Sequence, residues 1–128
     1  MVLLDTHVLL WLTDKQDELS ERARNSLAQN SGNLFVSSIT GFEIAVKAAR
    51  GALVLPRDPG IWVLDALRLH GIQEIPVTCE IGALAAALPR IHADPCDRII
   101  IATARIHDLS ILTRDAIIPR YPGVRTLW

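Results

Sequence analysis

The chain has 128 residues, a formal net charge of −1 and two cysteines, and half of it is apolar. That length suits a single domain able to bury its own core. The near-zero charge excludes a general nucleic-acid coat, which would need many Lys and Arg contacts to phosphate. Cys79 and Cys96 are too few for a disulfide framework or a zinc site.

The opening stretch, MVLLDTHVLLWL, has no basic leader and is interrupted by Asp5 and His7, so it does not read as a signal peptide. No apolar run reaches about 18 residues without a charge, so no membrane helix is expected and a cytoplasmic location is. Residues 2–4 read instead as a buried strand ending at Asp5, followed by a helix over 6–12. A second helix spans 20–29, starting at Ser20. LFV, 34–36, is the second strand, and Ser37 or Ser38 caps a helix that runs to Arg50 and stops at Gly51.

Pro56, Pro59 and Gly60 mark a loop before a helix over 61–70, which Gly71 ends. IQEIPV, 72–77, is a strand, 78–88 is helical, and Pro89 closes it. HADPCDR then opens an apolar helix over 95–107. SILT, 110–113, and VRTL, 124–127, are the last strands. This alternation predicts one α/β domain over 1–128, with a mainly parallel central sheet flanked by helices.

In such sheets ligands bind beyond the carboxyl ends of the strands, and that is where the acids fall. Asp5 follows the first strand and Asp115 the strand SILT. Asp94 and Asp97 open the helix before SILT. Glu43 lies in the helix after LFV, beside Ile39 and Val46, at the edge of an expected apolar face of Ile39, Phe42, Val46 and Ala49.

Each acid also has a purely structural explanation. Asp5 and Asp94 are placed as helix N-caps, with Pro95 at the first helical position and Asp97 on the positive end of the helix dipole. Glu43 is four residues from Lys47, the spacing of a helix ion pair. Asp115 fits a turn. Gathered on one sheet edge, however, these carboxylates repel, and a divalent cation relieves that repulsion. An all-oxygen set suits Mg²⁺ or Mn²⁺ rather than Zn²⁺. His7 and His92 lack a second His or Cys at ligand spacing and are read as bystanders or, at most, as groups supporting the acids.

The phrases LLDTHVLLWL, SSITGFEIAVKAARGAL, HADPCDRIIIATA and LTRD, with VRTLW at the end, resemble the PIN domain in order and spacing. More narrowly, they resemble VapC-type toxins of bacterial toxin–antitoxin pairs. The resemblance implies a metal-dependent endoribonuclease with one or two Mg²⁺ or Mn²⁺ ions, RNA as substrate (tRNA or rRNA by family habit) and a cognate VapB-type antitoxin. It puts Asp5, Glu43, Asp97 and Asp115 on the acidic quartet and Asp94 on the extra acid of the HxDPFDR form, where Cys96 replaces Phe.

Asp5 and Asp97 are expected to bind metal directly, with Glu43 and Asp115 as ligands or water-positioners. Cleavage by water should leave 5′-phosphate and 3′-hydroxyl ends. Thr6, Ser38 and Thr113 are expected to orient carboxylates or water. Arg98 and Arg114 should meet substrate phosphate or pair with an acid of the site. The apolar excess suggests a covered surface, with Trp11 and Trp62 either lining a groove for the antitoxin or a homodimer partner, or lying in the core. Two other readings compete. A receiver-like phosphotransfer domain lacks its strand-end Asp after LFVSS, and a non-catalytic PIN-like scaffold would not need all four acids.

Overall fold

The computed structural model describes residues 1–128. Five short strands, β1 (Val2–Leu4), β2 (Leu34–Ser37), β3 (Gln73–Ile75), β4 (Ser110–Leu112) and β5 (Thr126–Leu127), form one sheet in the order β3-β2-β1-β4-β5. Every pairing is parallel. Six helices flank it: α1 (Thr6–Asp14), α2 (Glu21–Gln29), α3 (Ile39–Ala49), α4 (Pro59–His70), α5 (Cys79–Ala87) and α6 (Pro95–Ile106). Short 3₁₀ turns at Gln16–Glu18 and Ile118–Arg120, which sequence pattern does not distinguish from loop, complete the chain.

Period-two alternation divides the core. Val2 and Leu4 of β1 face one way, against Val8, Leu9, Ala23, Leu27, Ile44, Trp62 and Leu67. Leu3 faces the other way, against Ile81, Ala85, Ile100, Ile101 and Tyr121. Both sides of β1 are fully buried, which is why it reads as an unbroken apolar run. No helix is long and apolar enough to cross a membrane.

Local chemistry starts and stops the helices. Ser20 accepts from the Ala23 N–H at 3.0 Å and Thr78 from that of Ile81 at 3.2 Å. Gly71 ends α4 in the left-handed conformation, with φ of 63°. The helix expected over 61–70 begins two residues earlier, because Asp58 caps it through the N–H groups of Gly60 and Ile61 and Pro59 takes the first helical position. The two serines before α3 divide the work between them. Ser37 Oγ accepts from Ile39 N–H, while Ser38 Oγ accepts from Val77 N–H and so ties α3 to the end of β3.

The expected apolar face of α3 is corrected. Thr40 and Ile44 are its buried residues, and Phe42 is exposed, because the helix presents the Thr40–Ile44 row to the sheet.

Candidate active site

The chain runs from β1 to β2 to β3 on one side of the sheet, then returns to place β4 on the other side of β1. The carboxyl ends of β1 and β4 therefore border a topological switch point, where open α/β sheets form crevices. Leu4 and Leu112 are in register, and the next residues, Asp5 and Thr113, emerge together. Asp5 N–H continues the ladder by donating to Leu112 O at 3.0 Å.

Asp5 is buried, and both of its oxygens are engaged. Thr6 N–H donates to Oδ1 at 2.7 Å and the Thr113 hydroxyl to Oδ2, also at 2.7 Å. The Thr6 hydroxyl donates to Glu43 Oε1 at 3.0 Å and lies 3.1 Å from the Thr40 hydroxyl. Glu43 Oε2 is 3.2 Å from Lys47 Nζ. The helix ion pair and the turn toward the cleft are thus both present, one on each oxygen. Thr40 is a supporting residue that sequence pattern did not single out, because a mid-helix threonine on a buried row resembles ordinary core.

Asp94 caps α6 through the Cys96 N–H at 2.9 Å, with Pro95 behind it. Asp97, the third residue of α6, is buried. Together with Asp5, Glu43 and Asp115, these acids line a cleft of about 390 Å³ whose other walls are His7, Trp11, Lys47 and Arg114. The sequence-predicted acids, all five of them, are brought to one place.

His92 is more than a bystander. Its Nε2 lies 2.9 Å from Asp97 Oδ2 and 3.0 Å from Asp115 Oδ2. His7 lines the cleft and sits 3.2 Å from Lys47 Nζ. Arg98 is corrected. It points away from the acids and donates to the carbonyls of Ala85, Ala86, Leu88 and Pro89 at the end of α5. Arg114 does line the cleft, over the Trp11 ring and 3.4 Å from Glu18. The tryptophans separate: Trp62 is core, while Trp11 is part-exposed between His7, Trp128 and the cleft.

The electrostatics follow from crowding. Burial, with Asp5, Asp94 and Glu43 nearby, pushes Asp97 up from 3.8 to about 7, and His92 only partly offsets this. Burial also raises Asp5, against the hydrogen bond from Thr113. Burial opposes charging of His92, but the hydrogen bond with Asp115 and the charges of Asp97, Asp115 and Asp94 prevail and raise it. Burial would raise Asp115 too, yet the hydrogen bonds from His92 and from Ile117 and Ile118 N–H hold it low. Asp97 is pushed toward neutrality by burial first and by the neighbouring carboxylates second, and a dication relieves that repulsion as a proton does. The donor set is oxygen-rich, and the Cys96 thiol, which burial beside Asp94 pushes up to about 11, does not line the cleft. Carboxylates without thiolate fit Mg²⁺ or Mn²⁺.

Residues 2–124 match the family model for the PIN domain. The chain belongs to the PIN domain family. The matched span includes all five acids of this PIN domain. The chain is 33% identical over 130 aligned residues to Ribonuclease VapC22 of Mycobacterium tuberculosis, covering 99% of this chain and 98% of that protein. A toxin–antitoxin complex from Klebsiella pneumoniae contains a similar chain, at a TM-score of 0.68 and 25% identity, covering 97% and 95% of the two chains. VapBC2 from Rickettsia felis, bound to a DNA fragment from its promoter, superposes at a TM-score of 0.73 with 16% identity, covering 98% and 97%. That last likeness is one of fold. In this PIN domain, Cys96 at the second position of α6 is a neutral, half-buried group, in keeping with a packing position.

Proposed function

We propose that this PIN domain is a divalent-metal-dependent endoribonuclease, the toxin of a type II toxin–antitoxin pair. It hydrolyses RNA phosphodiesters to 5′-phosphate and 3′-hydroxyl ends. The observation that carries this reading is the convergence of Asp5, Glu43, Asp94, Asp97 and Asp115 on one cleft, in a chain aligned end to end with a protein named as a ribonuclease.

Asp5 and Asp97 are the proposed direct ligands of Mg²⁺ or Mn²⁺, with Glu43 beside them, Asp115 in support and Asp94 at the rim. When bound, the ion lowers the pKa of its water and offsets phosphate charge. The protein's part is to hold these carboxylates still. The Thr113 and Thr6 hydroxyls fix the oxygens of Asp5 and Glu43, so little reorganisation is needed when negative charge develops. Lys47 and Arg114 on the walls supply positive charge where an RNA phosphate enters, and Trp11 offers a ring face on which a base can stack.

The proposed partners are RNA, of the tRNA or rRNA class by family habit, and a VapB-type antitoxin that covers the cleft. The antitoxin reading is supported by the toxin–antitoxin complexes among the similar structures. A homodimer is supported by apolar side chains left in water, namely Phe42, Ile61 and Leu64. The protein is proposed to act in the cytoplasm.

The test is to incubate antitoxin-free protein and Asp97→Asn with a mixed RNA pool in Mn²⁺, Mg²⁺ or EDTA and to map the product ends. Metal-dependent cuts with 5′-phosphate, absent from the variant, are expected. A 2′,3′-cyclic phosphate would mean that the RNA 2′-hydroxyl attacks and would overturn the hydrolytic mechanism. Silence from both folded proteins would favour the scaffold reading.

A further inference from the structure

His92 lies in the turn before α6, in a position fixed from several sides. Its backbone N–H donates to the Tyr121 hydroxyl at 2.7 Å, and that hydroxyl donates to Pro89 O at 2.9 Å. Tyr121 is buried in the core. On the ring, Nδ1 accepts the backbone N–H of Asp94 at 3.2 Å.

That last contact decides the chemistry of the other nitrogen. A backbone amide can only donate, so Nδ1 must present its lone pair and the ring hydrogen must sit on Nε2. Nε2–H then donates to Asp115 Oδ2 at 3.0 Å, and Asp97 Oδ2 lies 2.9 Å from the same nitrogen. A nitrogen that carries hydrogen has no lone pair to give a metal. Asp115 is held for this contact, since its Oδ1 accepts from Ile117 N–H at 2.6 Å and from Ile118 N–H at 3.2 Å. One ligand atom from each of His92, Asp97 and Asp115 lies within 4.8 Å of the others, a spacing that would otherwise suit a cation.

We propose that His92 is a positioning residue whose Nε2–H takes the place of a second metal ion between Asp97 and Asp115, so that the site holds one divalent ion, on the Asp5 side of Asp97. This rests on the metal-dependent reading above. Asp115 then acts through His92, whose Nε2 occupies the space beside Asp97 Oδ2. The geometry leaves the shared edge of Asp97 and Asp115 closed to a cation for as long as Asp94 N–H occupies Nδ1.

The experiment counts Mn²⁺ ions on the full chain by calorimetric titration and by electron paramagnetic resonance, with no RNA present. Three proteins are compared: wild type, His92→Gln and His92→Asn. Glutamine can bring an amide N–H to the position of Nε2. Asparagine can keep the acceptor for Asp94 N–H but is too short to reach the acids. Wild type and His92→Gln should bind one ion with an isolated six-line spectrum. His92→Asn should bind two, with the broadened spectrum of a coupled pair. A purely structural role for His92 would leave the count at one in every folded variant and would overturn the proposal. Two coupled ions on wild type would overturn it as well, and that result does not depend on either variant folding. If no protein binds Mn²⁺, the metal-dependent reading itself fails and the proposal falls with it. Two ions on wild type would leave that reading intact.

Discussion

At the residue scale, the alternatives that sequence reading set against each other prove compatible. Glu43 pairs with Lys47 through one oxygen and takes the Thr6 hydroxyl on the other. Asp94 caps α6 and also lines the cleft. A carboxylate has lone pairs enough for both tasks. Thr113→Val removes the hydroxyl donor from buried Asp5 and leaves that oxygen unsatisfied, at a cost of about 1–3 kcal/mol. The urea midpoint should fall accordingly with an unchanged slope.

Asp97 makes a prediction with a sign. Its pKa rises from 3.8 to about 7 on folding, so the folded protein holds a proton that the unfolded chain releases. The stability this proton provides is fully present below about pH 4 and is lost as pH rises through about 7. His92, raised as well, contributes in the same direction. In EDTA, Asp97→Asn should therefore gain melting temperature over wild type at pH 8, by about 4 °C per kcal/mol recovered, and gain less at pH 5. An equal gain at both values would contradict this account of the acid's surroundings.

At the element scale, helix ends were legible and helix faces less so. Caps are local chemistry, and Ser20, Gly71 and Asp94 act where their sequence neighbours placed them. Which row of a helix is buried depends on where the sheet lies, so the wheel put Phe42 inside when the fold leaves it outside. Arg98 illustrates the same limit. Next to Asp97 on α6, it reaches across to the end of α5, where its guanidinium satisfies carbonyls that the finished helix cannot. Arg98→Ala should cost about 1.5–3 kcal/mol, the scale of charged hydrogen bonds. Denaturant titration checks the loss. RNA cleavage per folded molecule should stay near wild type, which would separate Arg98 from the substrate-contacting groups.

At the scale of the whole molecule, two features bear on the proposed binding events. The acidic cleft repels itself, so an ion that binds only the folded state should stabilise it. Mn²⁺ at about 100 times its Kd adds about 2.7 kcal/mol, seen as a higher melting temperature that EDTA reverses. The second is a set of exposed apolar side chains, Phe42 on α3 and Ile61 and Leu64 on α4. Phe42→Glu with Leu64→Glu should turn the proposed homodimer into a monomer by light scattering, with little loss of stability, since neither side chain belongs to the core.

The order of elements, the parallel sheet and the positions of the five acids could all be read from the chain alone. They rest on short-range rules: apolar runs make buried strands, turn residues punctuate, and strand ends are where acids collect. The strand order β3-β2-β1-β4-β5 is long-range information, and it is this order that sets Asp5 beside Thr113, 108 positions away. The role of His92 is hidden in the same way. Nothing within a few residues of it predicts that Asp115 and Tyr121 will meet it, because those contacts arise only when α6, β4 and the turn after β4 pack together. Spacing can nominate a ligand, but the direction of a hydrogen bond in three dimensions decides whether a nitrogen holds a metal or replaces one.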